Sequence, residues 1–118
     1  MSIAVIDNYI YAGTNGNGVF VSNDNGNTWS QKNTVLSNSV IFSLENFGSD
    51  ILAGTRGDIF LSTDNGNSWA RLGYKISNVM SLAINGNNIL AGTENGIYLS
   101  TDFGNSWVQK SNGMPNVT

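Results

Sequence analysis

Ser62-Thr63-Asp64-Asn65-Gly66-Asn67-Ser68-Trp69 decides the fold, because it occurs three times. The first copy is Ser22-Asn23-Asp24-Asn25-Gly26-Asn27-Thr28-Trp29, and the third is Ser100-Thr101-Asp102-Phe103-Gly104-Asn105-Ser106-Trp107. The aspartates are 40 and 38 residues apart. Upstream of each box stands a second shared segment: Ile10-Tyr-Ala12-Gly13-Thr14, Ile51-Leu-Ala53-Gly54-Thr55 and Ile89-Leu-Ala91-Gly92-Thr93. A third lies further back, at Ser2-Ile3-Ala4, Ser43-Leu44-Glu45 and Ser81-Leu82-Ala83, with a Ser-to-Ile spacing of 8 in every copy. Ordered matches in three registers mean internal repetition.

Each unit reads as four short strands. In the third unit they are Ser81 to Ile84, Ile89 to Gly92, Ile97 to Ser100, and a run from Trp107 to Lys110. Such runs are rich in β-branched, aromatic or Leu side chains and are bounded by Asn, Gly and Asp. No 11-residue window has helical periodicity. Seven Asn-Gly dipeptides supply residues that tolerate positive φ in tight turns. Four strands in about 40 residues is the size of one β-propeller blade. The expected fold is all-β: a β-propeller of four-stranded antiparallel blades, three per chain, at 2–39, 40–78 and 79–118.

Composition excludes several kinds of chemistry. The 118 residues contain no Cys and no His, which removes disulfides, thiol catalysis, His-based triads and His/Cys metal sites. Five basic residues against eight acidic ones make no phosphate-tracking face, so nucleic acid is not an expected partner. No apolar run approaches the roughly 18 residues of a membrane helix. The opening MSIAVIDNYIY has neither the basic start nor the apolar core of an export signal. Asn, Gly, Ser and Thr together make up 55 residues, as a chain of short strands and tight corners requires.

The box Ser/Thr-x-Asp-x-Gly-x-Ser/Thr-Trp resembles the Asp-box, or BNR, repeat of sialidases, sortilin-type receptors and photosystem II assembly factor-like proteins. The wider unit, residues 81–102, is similar to secreted bacterial propeller repeats of that superfamily. The resemblance implies a propeller, and an extracellular setting for many members. The closeness of the three units also points to recent duplication or deliberate design.

In this reading the box is the turn between strands three and four. Asp24, Asp64 and Asp102 accept N–H bonds within their own turns. Gly26, Gly66 and Gly104 take the positive φ that closes them. The hydroxyl pairs Ser22 with Thr28, Ser62 with Ser68, and Ser100 with Ser106 are expected to bond across the hairpin. Trp29, Trp69 and Trp107 need cover from a neighbouring blade, each worth on the order of 2–3 kcal/mol. A calcium loop fails on spacing. With Gly66 at its sixth position, the first and twelfth positions fall on Leu61 and Leu72, which cannot ligate.

Propellers close with about four to eight blades. Three leave two apolar faces open. Joining Thr118 of one copy to Met1 of another gives Val117-Thr118-Met1-Ser2, the Val-x-x-Ser spacing of Val40-Ile-Phe-Ser43. The expected partner is therefore the chain itself, head to tail. A homodimer with six blades is favoured over a homotrimer with nine.

The resemblance places ligand loops opposite the box turns. The candidates there are Asn15, Asn17, Arg56, Asp58, Glu94 and Asn95 between strands two and three, with Tyr74 and Lys75 between blades. Asn, Arg, Glu and Tyr side chains suit sugar hydroxyls or peptide groups, so one reading is a module that binds a glycan or protein there. The alternative is a purely structural or engineered self-assembling repeat with no ligand, and a glycoside hydrolase fragment ranks below both. Arg56-Gly-Asp58 also spells an integrin-recognition tripeptide, a word short enough to arise at random. The arginine cluster that sialidase resemblance implies is missing, since Arg56 and Arg71 are the only arginines. Three of the eight acids belong to boxes, which leaves few for a facing carboxylate pair. The expectation is a non-catalytic module without cofactor or metal.

Overall fold

The computed structural model describes residues 2–31, 36, 39–72, 76 and 78–110. These form twelve strands. β1 (Ser2–Ile6), β2 (Tyr9–Gly13), β3 (Val19–Ser22) and β4 (Ser30–Gln31) make the first sheet. β5 (Ile41–Phe47), β6 (Asp50–Thr55), β7 (Ile59–Ser62) and β8 (Ala70–Arg71) make the second. β9 (Val79–Asn85), β10 (Asn88–Thr93), β11 (Gly96–Ser100) and β12 (Val108–Gln109) make the third. Each sheet is an antiparallel meander in which sequence neighbours pair. This is the build of three propeller blades.

The fourth strands are shorter than the sequence implies. They begin one residue after the Trp and pair over only two residues. The indole explains part of this. Trp29 Nε1 donates to the Gly26 carbonyl at 3.1 Å, and Trp107 Nε1 to that of Gly104 at 3.2 Å. Those two indoles are thus turned back over their own boxes.

Strand alternation gives each sheet two faces, and the sheets stack through them. Ala4, Ile6, Tyr11, Val19 and Val21 of the first sheet meet Leu44, Ile51, Ala53 and Trp69 of the second. Leu52 and Ile59, from the other face of the second sheet, meet Val79, Ile89 and Ala91, with Leu82, Tyr98 and Trp107 packed alongside. The core is two interfaces between three sheets, and Trp69 and Trp107 each serve the interface with the preceding sheet. Trp69 is 8% exposed, whereas Trp29, which has no preceding sheet, is 42% exposed.

The outermost faces are apolar and open. Ile3 and Val5 of β1 are exposed on one, and Leu90 and Val108 on the other. Among the described residues no helix is long and apolar enough to cross a membrane. No three acidic side chains among them gather into a metal-holding group.

The three boxes share one hydrogen-bond pattern. In the second, Ser62 Oγ donates to Asp64 Oδ1 at 2.9 Å and accepts from the Gly66 amide at 2.8 Å. Asp64 accepts from the Ser68 amide at 2.8 Å and from the Ser68 hydroxyl. The first and third boxes repeat this through Asp24 and Asp102. The expected bonding of the hydroxyl pairs across the hairpin runs through the Asp. Both hydroxyls bond the carboxylate between them, which has enough lone pairs for both and for an amide. Two consecutive residues are left-handed in each box, as at Asn65 (φ 62) and Gly66 (φ 82). Phe103, at φ 52, takes the place of the easier Asn and packs on Phe47, ring centroids 5.0 Å apart.

These bonds hold the box carboxylates ionised. The Thr28 hydroxyl, then the Thr28 amide and Ser22, hold Asp24 at about 2. The hydroxyls of Ser106 and Ser100, with the Ser106 amide, hold Asp102 at about 2. Asp64 is lowered in the same way, chiefly by the Ser68 hydroxyl. A carboxylate depressed in the folded state stabilises it above the unfolded value of about 4, and that contribution disappears as pH falls through the folded value. The melting temperature should therefore drop between about pH 4 and pH 2. Circular dichroism melts of the triple variant D24N/D64N/D102N should show a flatter acid limb. An acid limb as steep as that of the parent would refute this account.

Candidate functional site

The β2–β3, β6–β7 and β10–β11 turns lie at one end of the sheets, opposite the boxes. A threonine ties each of them. Thr55 Oγ1 donates to the Asp58 carbonyl at 2.8 Å and accepts from the amides of Gly57 and Asp58 at 3.0 and 2.9 Å. Thr14 does the same with Gly18 and Asn17, and Thr93 with Gly96 and Asn95. The hydroxyl serves the turn amides left over by the backbone bond that closes the turn, as from the Thr55 amide to the Asp58 carbonyl at 2.9 Å.

The turns are also joined to one another. The Arg56 amide donates to the Val40 carbonyl at 3.2 Å, and the Asn78 amide donates to the Arg56 carbonyl at 3.0 Å. Asn15 bridges to Val40. Asn15 and Arg56 thus flank the segment entering the second sheet, and Arg56 also holds the segment entering the third. Glu94 follows Thr93, which pairs with Val79. Asn15, Asn17, Arg56, Glu94 and Asn95 are all exposed at this end. Tyr74 and Lys75 lie outside the described residues.

Asp58 departs from the expectation. The sequence places it among the ligand residues, but it is 3% exposed. Its carboxylate accepts from the Ile59 amide at 3.1 Å and pairs with Arg71 Nε at 3.0 Å. Burial pushes its pKa up, against the pull of the Ile59 amide and the Arg71 guanidinium. The tripeptide at 56–58 therefore does not present its Asp. Arg71 stands on edge strand β8 and reaches this end of the sheet. It was legible only by comparing units. Asp58 occupies the position of Gly96 and Arg71 that of Gln109, so both departures fall in one unit.

Val40, Thr55, Arg56, Asp58, Phe60 and Arg71 line a cleft of about 340 Å³ formed by the second sheet and the segment that enters it. At the box end, Tyr9, Thr28, Trp29, Asn65 and Asn67 line a smaller one of about 180 Å³.

In sequence, residues 2–117 match the family described as the DUF6242 beta propeller domain. No curated protein matches the chain. Among solved structures, YCF48 bound to D1 peptide superposes with a TM-score of 0.78 at 21% identity, over 99% of this chain and 42% of that one. The computationally designed Ika4 protein does so with a TM-score of 0.70 at 14% identity, over 98% and 74%. An ancestral GH74 enzyme gives 0.73 at 24% identity, over 94% of this chain and 17% of the enzyme. The chain thus spans less than half the length of the YCF48 structure. These likenesses establish the fold, a β-propeller of Asp-box-like build.

Proposed function

The chain belongs to the DUF6242 β-propeller domain family, and from that premise we propose a non-catalytic repeat module that completes its ring by joining a second copy head to tail. The observation carrying this reading is the state of the first box. Gly66 approaches Tyr11 and Val21 of the sheet before it, and Gly104 approaches Leu72 of the sheet before it. Gly26 meets nothing but its own Trp29. The first sheet thus carries an unused copy of a surface that is used twice inside the chain. The outer face of the third sheet, with Leu90 and Val108 exposed, is the surface such a box packs on elsewhere. A heterologous contact of this kind closes into a ring when the rotation between units permits.

Native mass spectrometry of the full chain should find two copies of 12.6 kDa together. A stable single copy overturns the reading. Val5→Asp and Leu90→Asp, both at exposed positions, should each give monomers with an unchanged circular dichroism spectrum. Mixing the two variants should restore pairing through the one undamaged interface.

A loop-face ligand is the second part of the reading, supported by the exposed row Asn15, Arg56 and Glu94. A peptide is bound to YCF48 in the structure that this chain resembles, which favours a protein ligand over a glycan. Non-catalysis is supported by where the acids are spent: three hold box turns, and Asp58 is paired with Arg71.

A further inference from the structure

We propose that the cleft between Arg56 and Arg71 is a binding site for a carboxylate. It lies within one chain, so it does not depend on ring closure.

The fold does not need an ion pair at this corner. In the third unit Gln109 Nε2 donates to the Asn95 carbonyl at 2.7 Å, beside Gly96. In the first, Gln31 Nε2 donates to the Asn17 carbonyl, beside Gly18. A neutral contact therefore closes this corner twice. In the second unit a buried carboxylate and a guanidinium replace it. An ion pair with one partner desolvated brings little or no net stability over a neutral substitute, so stability does not explain the exchange.

What the exchange achieves is placement. Asp58 holds Arg71 through Nε, and the Arg71 side chain stays 64% exposed. A guanidinium held through Nε still has N–H donors on its end edge for a second acceptor. Arg56 stands on the same cleft with its backbone fixed from both sides by Val40 and Asn78. The only two arginines of the chain line one cleft, with Asp58 already engaged at its floor. The balance of charge there is one positive unit. Planar forks of N–H donors match a carboxylate in both geometry and charge. Thr55 is occupied in its own turn, and Val40 and Phe60 supply apolar walls. The site suits a carboxylate on a small apolar stem, as at an acidic side chain or a chain end. Asp58 is a positioning residue in this scheme, acting through Arg71.

Amide NMR titration of the full chain tests it with two probes: N-acetylglutamic acid α-amide, carrying a side-chain carboxylate, and N-acetylglycine, carrying a chain-end carboxylate. Saturable shifts are expected at 55–59 and 70–71, with Kd on the order of 1 mM. Response to one probe alone assigns the source of the carboxylate. Arg56→Gln should weaken binding about tenfold, the loss of one bidentate contact. The double variant D58G/R71Q installs the Gly and Gln pairing of the third unit, so it should keep the fold and lose binding. Absence of saturable shifts overturns the proposal. So do equal shifts with sodium chloride at matched ionic strength, or affinity unchanged in both variants.

Discussion

Gly54→Ala should destabilise the chain by at least about 3 kcal/mol, while Gly92→Ala should cost no more than about 1 kcal/mol. The two glycines hold the same place in their units, in Ala-Gly-Thr at the end of the second strand. A methyl group on Gly54 would meet Ser43 Oγ, and would lie 2.7 Å from Val79 Cγ1 and 2.8 Å from the Val79 carbonyl oxygen. Val79 is fully buried, and its carbonyl accepts from the Ser43 hydroxyl at 3.4 Å. Backbone cannot rotate away, so the third sheet would have to shift as a body. Overpacking of that kind costs more than a side-chain rearrangement. At Gly92 the near atom is Ser81 Oγ at 2.5 Å, and the next lies at 3.8 Å. A serine rotamer change relieves that clash. Urea denaturation of both variants measures the difference. Equal costs would mean that sheet spacing is not what the glycine provides.

The repeats made the strands legible because each strand needs only local signals: alternating apolar residues between turn residues. The box turns were legible for the same reason. Their inner wiring was not. Ser22 and Thr28 are correctly paired by the sequence, but their joining through Asp24 depends on which lone pairs face which donors, and spacing does not encode that. The cover over the tryptophans was half legible. A neighbouring sheet does bury Trp69, yet position in the stack decides which box has a neighbour, and Trp29 has none. Asp58 misled for a different reason. A loop aspartate is exposed by default, and here a cation on the neighbouring strand draws it inward. Arg71 is that cation, 13 residues away on β8. Reading one unit against the next, rather than each alone, exposes the pair.

Trp69→Ala should cost about 3–5 kcal/mol, the range for removing a buried aromatic. The side chain belongs to the cluster that joins the first and second sheets, together with Tyr11, Val21 and Ile51. Its removal opens a cavity between surfaces that are fixed by their own ladders and cannot collapse far. Trp29→Ala in an isolated chain should cost about 1 kcal/mol or less, since the indole is 42% exposed and its bond is to its own turn. The contrast becomes a gauge of assembly. If a second copy covers the first box, Trp29 acquires the surroundings of Trp69, and its replacement weakens the folded assembly rather than the fold alone. Association stabilises by mass action. The cost of Trp29→Ala should therefore rise with protein concentration, while that of Trp69→Ala stays constant within the chain. Melts at two widely separated concentrations distinguish the cases, and a Trp29 cost that does not change with concentration would leave the first box without a partner.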